Sequence, residues 1–245
     1  MVNGTGLFIT GTDTGVGKTV VTAGLAILFR SQCQSVGVMK PIQTGCRMVR
    51  GRLFADDTRI LQWAAKTMDQ IDLVTPYRFH SPLTPLVAGR IEQKRISLPK
   101  ILRAYHRLTQ RYPFILVEGI GGILAPITKK DRVLELIQWL NLPVLIVARS
   151  GLGTLNHTLL TVHLARQSRI PIVGILLNTS QPKKNGLAEK TNPGILAELT
   201  GLPVFGPIPF IKGLQLNSRG AKKIAEVFRP WQAELLELQK NLKIK

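Results

Sequence analysis

The chain has 245 residues, 44% of them hydrophobic, enough to bury the core of one α/β domain spanning residues 1–245, and its 33 Lys and Arg against 14 Asp and Glu give a formal net charge of +19. Its two cysteines, Cys33 and Cys46, form no Cys-x-x-Cys pair and no His or Cys stands at zinc spacing, which argues against a disulfide framework or a structural zinc and leaves two free thiols. No apolar run reaches the roughly 18 residues of a membrane helix and no basic, apolar leader opens the chain, so a soluble, cytoplasmic protein is expected.

Residues 7–10 are a short apolar run that reads as a strand. They feed Gly11-Thr12-Asp13-Thr14-Gly15-Val16-Gly17-Lys18-Thr19, after which a helical pattern covers residues 19–31. Strand, glycine-rich loop and helix in that order make a phosphate loop, with backbone N–H groups to cradle a polyphosphate, Lys18 to reach its end and the Thr19 hydroxyl for magnesium. The loop is a variant, because Thr12 stands where the usual pattern has glycine and Gly11 comes one place too early.

Further apolar, β-branched runs occupy residues 36–39, 114–117, 144–147, 172–177 and 204–205. Helical patterns lie between them at 57–65, 98–112, 133–140, 155–167 and 193–199, and a longer one over 218–238 closes the chain. Continuous apolar strands are buried on both faces, so the alternation predicts a doubly wound, mostly parallel sheet with helices on both sides. In such a sheet ligands sit at the carboxyl ends of the strands.

The polar residues at those ends are therefore the candidates. The second run delivers Lys40, followed by Thr44, beside the phosphate loop; the third delivers Glu118 and the glycines Gly119, Gly121 and Gly122, a second metal-coordinating position. Asp56 and Asp57 precede a helix, where one carboxylate would serve as cap and the pair exceeds what capping needs. Asn178, after the fifth run, either reads an adenine edge or makes an Asx turn. The cations are scattered, as Arg47, Arg50 and Arg52 in one loop, Lys100, Arg103, Arg107 and Arg111 at helical spacing, and Lys240, Lys243 and Lys245 in the tail; with little aromatic interleaving they read as a solvated surface, with neither nucleic acid nor membrane as partner.

The Gly11 to Thr19 loop, Lys40-Pro41 with Thr44-Gly45, Asp57, Val117-Glu118-Gly119-Ile120-Gly121-Gly122 and Gly151-Leu152-Gly153-Thr154-Leu155-Asn156-His157 together resemble the dethiobiotin synthetase family, up to about Pro209. The resemblance implies a magnesium-dependent enzyme of biotin biosynthesis. Such an enzyme carboxylates 7,8-diaminononanoate with carbon dioxide, phosphorylates the carbamate with ATP and lets the second amine displace phosphate to close a cyclic urea. It implies catalytic Lys40 and Lys18, and magnesium at Thr19, Asp57 and Glu118. The implied nucleotide site adds Gly15, Val16, Gly17, Val20, Gly119, Ile120, Gly121, Asn178, Thr179, Ile208, Pro209 and Phe210. On the substrate side stand Thr14, Lys40, Thr44, Gly153, Leu155 and Asn156, the last three at a helix start that a homodimer partner would present. His157 reads as a cap or packing residue outside catalysis. Gly15 and Thr179 replace acids found in relatives.

A partitioning-type ATPase is the rival on the same fold, but such proteins resemble a pattern with a lysine just before paired glycines, where this chain has Asp13-Thr14-Gly15. A cobyrinate-class amidotransferase would need a glutaminase domain for which the chain is too short. A degenerate binding module would be favoured by loss of Lys18, Thr19 or Glu118, and all three are present.

Overall fold

The computed structural model describes residues 6–32, 35–182, 186–213 and 215–243; Cys33 and Lys245 lie outside them. Strand β1 (Gly6–Gly11) runs through the loop into α1 (Lys18–Arg30), and β2 (Val36–Met39) follows. After it come β3 (Ile42–Gln43), a hairpin of β4 (Arg47–Val49) and β5 (Arg52–Phe54), α2 (Asp56–Ala65), α3 (Ile71–Val74), β6 (Tyr77–Arg78), α4 (Pro85–Ile91) and α5 (Leu98–Thr109). The chain then alternates through β7 (Phe114–Gly122), α6 (Val133–Leu140), β8 (Val144–Arg149), α7 (Thr154–Gln167), β9 (Ile172–Asn178), α8 (Leu187–Thr200) and β10 (Val204–Ile208). It ends in α9 (Ser218–Phe228), a 3-10 turn at Arg229–Trp231 and α10 (Gln232–Lys243).

Six strands form one sheet in the order β10-β9-β8-β1-β7-β2, and every neighbouring pair is parallel. Alternate residues face opposite sides, so Phe8, Ile115, Val117, Val144 and Ile146 pack under α5, α6 and α7, while Leu7, Ile9, Leu116, Leu145 and Val147 pack under α1, α2 and α9. Both faces are thereby dry, as the continuous apolar runs require. The order reverses at β1: the chain goes from β1 to β2 on one side, returns to β7 and then proceeds outward through β8 to β10 on the other. That switch point opens a crevice at the strand ends, above the phosphate loop.

Two expectations need correction. The helix predicted over 193–199 begins at Leu187 and holds Pro193 in its interior. Proline removes one ladder bond there, but the early turns are anchored at both levels: locally the Gly186 amide at the cap position donates to Glu189 Oε2 at 2.9 Å, and across elements the buried Asn192 Nδ2 donates to Ser150 O at 2.9 Å. The single helix predicted over 218–238 is broken at Phe228, because Pro230 has no N–H to continue the α ladder and the chain passes through the 3-10 turn. Two of the scattered surface cations are paired while staying half-exposed or more, Arg47 with Asp56 and Arg111 with Asp69. Among the described residues no helix is long and apolar enough to cross a membrane, and Cys46 is a buried free thiol.

Helix α1 lies close to α9 because Gly24 has no side chain. A Cβ at that position would fall 2.3 Å from the Phe228 ring, which is itself 1% exposed. Gly24→Ala should therefore destabilise the fold by about 1–3 kcal/mol through overpacking, although alanine is the better helix former. Urea unfolding checks this, and a midpoint at or above that of the parent protein would contradict the packing.

Candidate active site

The register of the sheet builds the centre of the site. Met39 of β2 pairs with Val117 of β7, so the next residues along the two strands, Lys40 and Glu118, stand side by side at the crevice. Both are buried, at 5% and 1% exposure. Lys40 Nζ donates to Glu118 Oε1 at 2.7 Å and also to Asp57 Oδ2 on the first turn of α2. Thr19, in the first turn of α1, donates from Oγ1 to the same Glu118 oxygen at 2.8 Å.

Buried charges at this spacing must be paired. Burial pulls Lys40 down, but the Glu118 and Asp57 carboxylates outweigh it and hold the ammonium above its ordinary range. Burial pushes the Glu118 carboxyl up, with Lys40 pulling the other way and Asp57 adding to the rise. Glu118 Oε2 is buried with no hydrogen-bond partner among the described residues. A hydroxyl and two carboxylates, one of them with an unpaired oxygen, form an all-oxygen donor set, the kind a magnesium ion takes when phosphates and water complete its shell.

The loop between β1 and α1 explains its own irregular sequence. Within it only Gly15 and Gly17 adopt positive φ, 72° and 96°, so Thr12 needs no glycine conformation. Gly11 serves space instead: a Cβ there would sit 2.8 Å from Lys18 Nζ. The ammonium folds back to donate to Asp13 O at 2.9 Å, and burial draws Lys18 down from its ordinary 10.5 to about 8, against the pull of Glu118. A Cβ on Gly17 would collide with Asn178 Nδ2 at 2.0 Å.

Asn178 thus makes no Asx turn; its amide donates to Val16 O at 2.9 Å and props the loop from β9. A cavity of about 380 Å³ brings together Thr14, Gly15, Gly17, Lys18, Thr19, Val20, Lys40, Thr44, Asp57, Glu118, Gly119, Ile120, Gly121, Asn178, Thr179, Pro209 and Phe210, and Gln43, Ser180 and Ile211, which sequence reasoning did not single out, also line it. Two predicted nucleotide residues do not line it: Val16, wholly buried, accepts from Asn178 through its carbonyl, and Ile208, also buried, pairs with Asn178 in the sheet and accepts from the Thr179 amide at 2.9 Å.

A second cavity of about 630 Å³ adjoins the first, sharing Thr14, Thr44, Ile120 and Gly121. Its outer wall is the 82–85 segment and one face of α7, namely His157, Leu160, Thr161 and Leu164. His157 therefore lines a cavity rather than capping or packing. Gly153, Leu155 and Asn156 do not line either cavity.

The pair Asp56-Asp57 does not cap α2; Ala55 is the cap residue, and both acids lie in the first turn. Asp56 turns outward to Arg47, whose Nε and Nη2 donate at 2.9 and 2.6 Å, while Asp57 turns inward to Lys40. Sequence reasoning missed Arg149, which ends β8 and donates to Asp13 Oδ2 at 2.9 Å and Thr14 O at 3.3 Å. The signal that could have found it is its place just past the fourth apolar run, at a strand end like Lys40 and Glu118.

A family model described as an AAA domain matches residues 5–218. The chain is 42% identical to the ATP-dependent dethiobiotin synthetase BioD of Thermodesulfovibrio yellowstonii, a match that covers 89% of this chain and 94% of that one. It is 39% identical to the ATP-dependent dethiobiotin synthetase BioD of Nitrosopumilus maritimus, covering 85% and 90%. Among solved structures, a ParA family ATPase from Chlorobium tepidum aligns with a TM-score of 0.52 at 16% identity over 97% and 98% of the two chains. The MinC:MinD cell division complex of Aquifex aeolicus aligns at 0.53 and 13%, over 98% and 96%. At such identity these two share the fold alone.

Because Lys18 titrates near 8 and a polyphosphate needs it charged, ADP affinity should be full below that pH. Above it, binding must take up a proton, so affinity falls by up to about tenfold per pH unit until the higher pKa of the bound state is reached. Calorimetric titration from neutral to alkaline pH checks the sign, with Lys18→Arg expected to flatten the profile because arginine stays charged. A parent profile that stays level through this range would contradict it.

Proposed function

Because the chain belongs to the ATP-dependent dethiobiotin synthetase family, we propose that it closes the cyclic urea of dethiobiotin from 7,8-diaminononanoate, carbon dioxide and ATP, a step of biotin biosynthesis. One observation carries the assignment of roles: a buried lysine held between two carboxylates, within one cavity with the phosphate loop and opening on a second cavity.

Lys18 exchanges the Asp13 carbonyl for the terminal phosphates, while the 15–20 segment cradles the others with its N–H groups. Asn178, Thr179 and the 208–210 segment form the adenine side. Thr19, Asp57 and Glu118 hold magnesium, whose fit rests on the unpaired Glu118 oxygen and the all-oxygen donor set. Bound there, magnesium neutralises phosphate charge during transfer.

The substrate's chain lies in the second cavity against Ile123 and Leu164, with its two amines toward Thr14 and Thr44, shared with the first cavity, and Lys40 of the first. One amine takes up carbon dioxide as a carbamate. Lys40 places its positive charge beside that carbamate, whose oxygen attacks the γ-phosphorus and displaces ADP. The second amine then attacks the carbamoyl carbon, phosphate leaves and the urea ring closes. The 40–45 loop and the glycines 119, 121 and 122 keep the reacting groups together at the switch point.

The protein works as a cytoplasmic homodimer with one synthetase domain per chain. Leu83, Leu124 and Leu160 at the second cavity are 43%, 50% and 61% exposed, apolar area that a second copy would cover. In that arrangement Gly153, Leu155 and Asn156, at the start of α7, face the substrate carboxylate of the partner, where the N-terminal N–H groups of the helix favour an anion.

The proposal is tested by phosphate release from magnesium and ATP in bicarbonate, with and without the diamine, and by product mass. Equal amounts of phosphate and dethiobiotin are expected, only with diamine; release that ignores it would sink the reading. Lys40→Met should lower turnover by about two to three orders of magnitude while ADP affinity is little changed, and equal loss of both would remove the proposed role. Glu118→Gln should raise the magnesium needed for half-activity by about tenfold or more, with an unchanged requirement counting against its metal role.

A further inference from the structure

Helix α2 carries Asp57, yet its own sequence leaves its start poorly held. Ala55 occupies the cap position without a side-chain acceptor, and the first N–H groups of a helix have no partner inside it. One acceptor comes from elsewhere in the chain: Gln43 Oε1, on β3, takes hydrogen bonds from the Thr58 amide at 3.2 Å and from Thr58 Oγ1 at 2.9 Å. A backbone N–H only donates, which settles which end of the Gln43 amide is oxygen. Thr58 has one hydroxyl proton and spends it on Gln43, so the 2.6 Å contact between the two threonine hydroxyls has Thr75 as donor.

These bonds close a ring. Thr75 directly follows Val74, whose carbonyl accepts from the Lys40 amide at 2.9 Å, and the short chain from Lys40 through Pro41 and Ile42 leads back to Gln43. Gln43, Thr58 and Thr75 are 4%, 0% and 0% exposed, so water does not compete for the bonds. Lys40 and Asp57 thus stand on one buried, hydrogen-bonded frame, joined again by their own ion pair. The neighbouring Asp56 adds a bond outside the frame, to Arg47.

We propose that Gln43 is a positioning residue, a helix cap supplied from another element that sets the Asp57 carboxylate at its distance from Lys40 and Glu118. The proposal rests on the metal role given above to Asp57. Without the Gln43 acceptor, two buried donors of Thr58 lose their partner and the first turn of α2 is free to shift. The phosphate loop and the second cavity are untouched by that shift. Gln43 lines the first cavity and not the second, and both of its bonds go to Thr58, so its loss is expected to weaken the metal site while nucleotide and diamine binding keep their parental strength.

The test is Mn²⁺ titration of the ADP complex, with free Mn²⁺ read by electron paramagnetic resonance, beside metal-free ADP affinity and the diamine KM. Gln43→Met should weaken Mn²⁺ binding by about tenfold while the other two readouts stay at parental values. Asp57→Asn should weaken Mn²⁺ at least as much, and adding Gln43→Met to it should weaken Mn²⁺ no further, because the cap acts through that carboxylate. Parental Mn²⁺ affinity in Gln43→Met with a loss in Asp57→Asn overturns the proposal and leaves the metal role standing; so does a raised diamine KM with unchanged Mn²⁺ affinity, which would place Gln43 on the substrate. Parental affinity in Asp57→Asn overturns the metal role itself, and the positioning role with it. If Gln43→Met does not fold, Thr58→Val keeps the backbone bond, loses the hydroxyl, and should show a smaller loss in the same direction.

Discussion

Everything at the crevice depends on one ammonium. Asp57 and Glu118 come from a helix and a central strand that are far apart in the chain, and two carboxylates drawn together in a dry crevice repel. Lys40 makes their approach tolerable by donating to both. Its own position follows from the parallel pairing of β2 with β7, which is itself a consequence of a crossover that carries the chain past the place later filled by β7. A fold-level rule about strand order thereby fixes a contact of atomic dimensions. The charges that need one another in the absence of ligand are the same ones that the proposed reaction assigns to a carbamate, a metal ion and a transferring phosphoryl group.

The phosphate loop obeys the same economy. Lys18 rests on the Asp13 carbonyl, and Arg149 holds the Asp13 carboxylate from the end of β8. Asn178 holds the Val16 carbonyl from the end of β9. Strands β8 and β9 thus shape the loop before any nucleotide arrives, which lowers the ordering cost of binding. The displaced glycine of the motif has a physical reason in this arrangement: Gly11 makes room for an ammonium, and no residue at position 12 has to adopt a positive φ.

The central sheet was legible in the sequence because buried parallel strands are continuous apolar runs, and a ladder needs little else to be recognised. Lys40, Glu118 and Asn178 were legible for a related reason, since strand ends in such a sheet face the ligand. What escaped was structure held by contacts between elements. The β4–β5 hairpin has no apolar pattern; Phe54 lies between the Arg47 and Arg59 guanidinium groups at 4.8 and 4.5 Å, and Arg47 is fixed by Asp56. The early start of α8 rests on Asn192, which reaches Ser150 42 residues away, and the role of Gln43 rests on a threonine 15 residues away. Periodicity reports which face a residue turns inward, and it is silent on which distant partner it meets there.

In the proposed reaction a carbamate oxygen, held beside Lys40, attacks the γ-phosphorus. Turnover with carbon dioxide carrying heavy oxygen, with mass analysis of the released phosphate, tests it most directly. One heavy oxygen is expected in each phosphate and one in the urea carbonyl of dethiobiotin. Phosphate free of label, formed together with labelled product, would mean that water rather than the carbamate met the phosphorus, and would contradict the role given to this site.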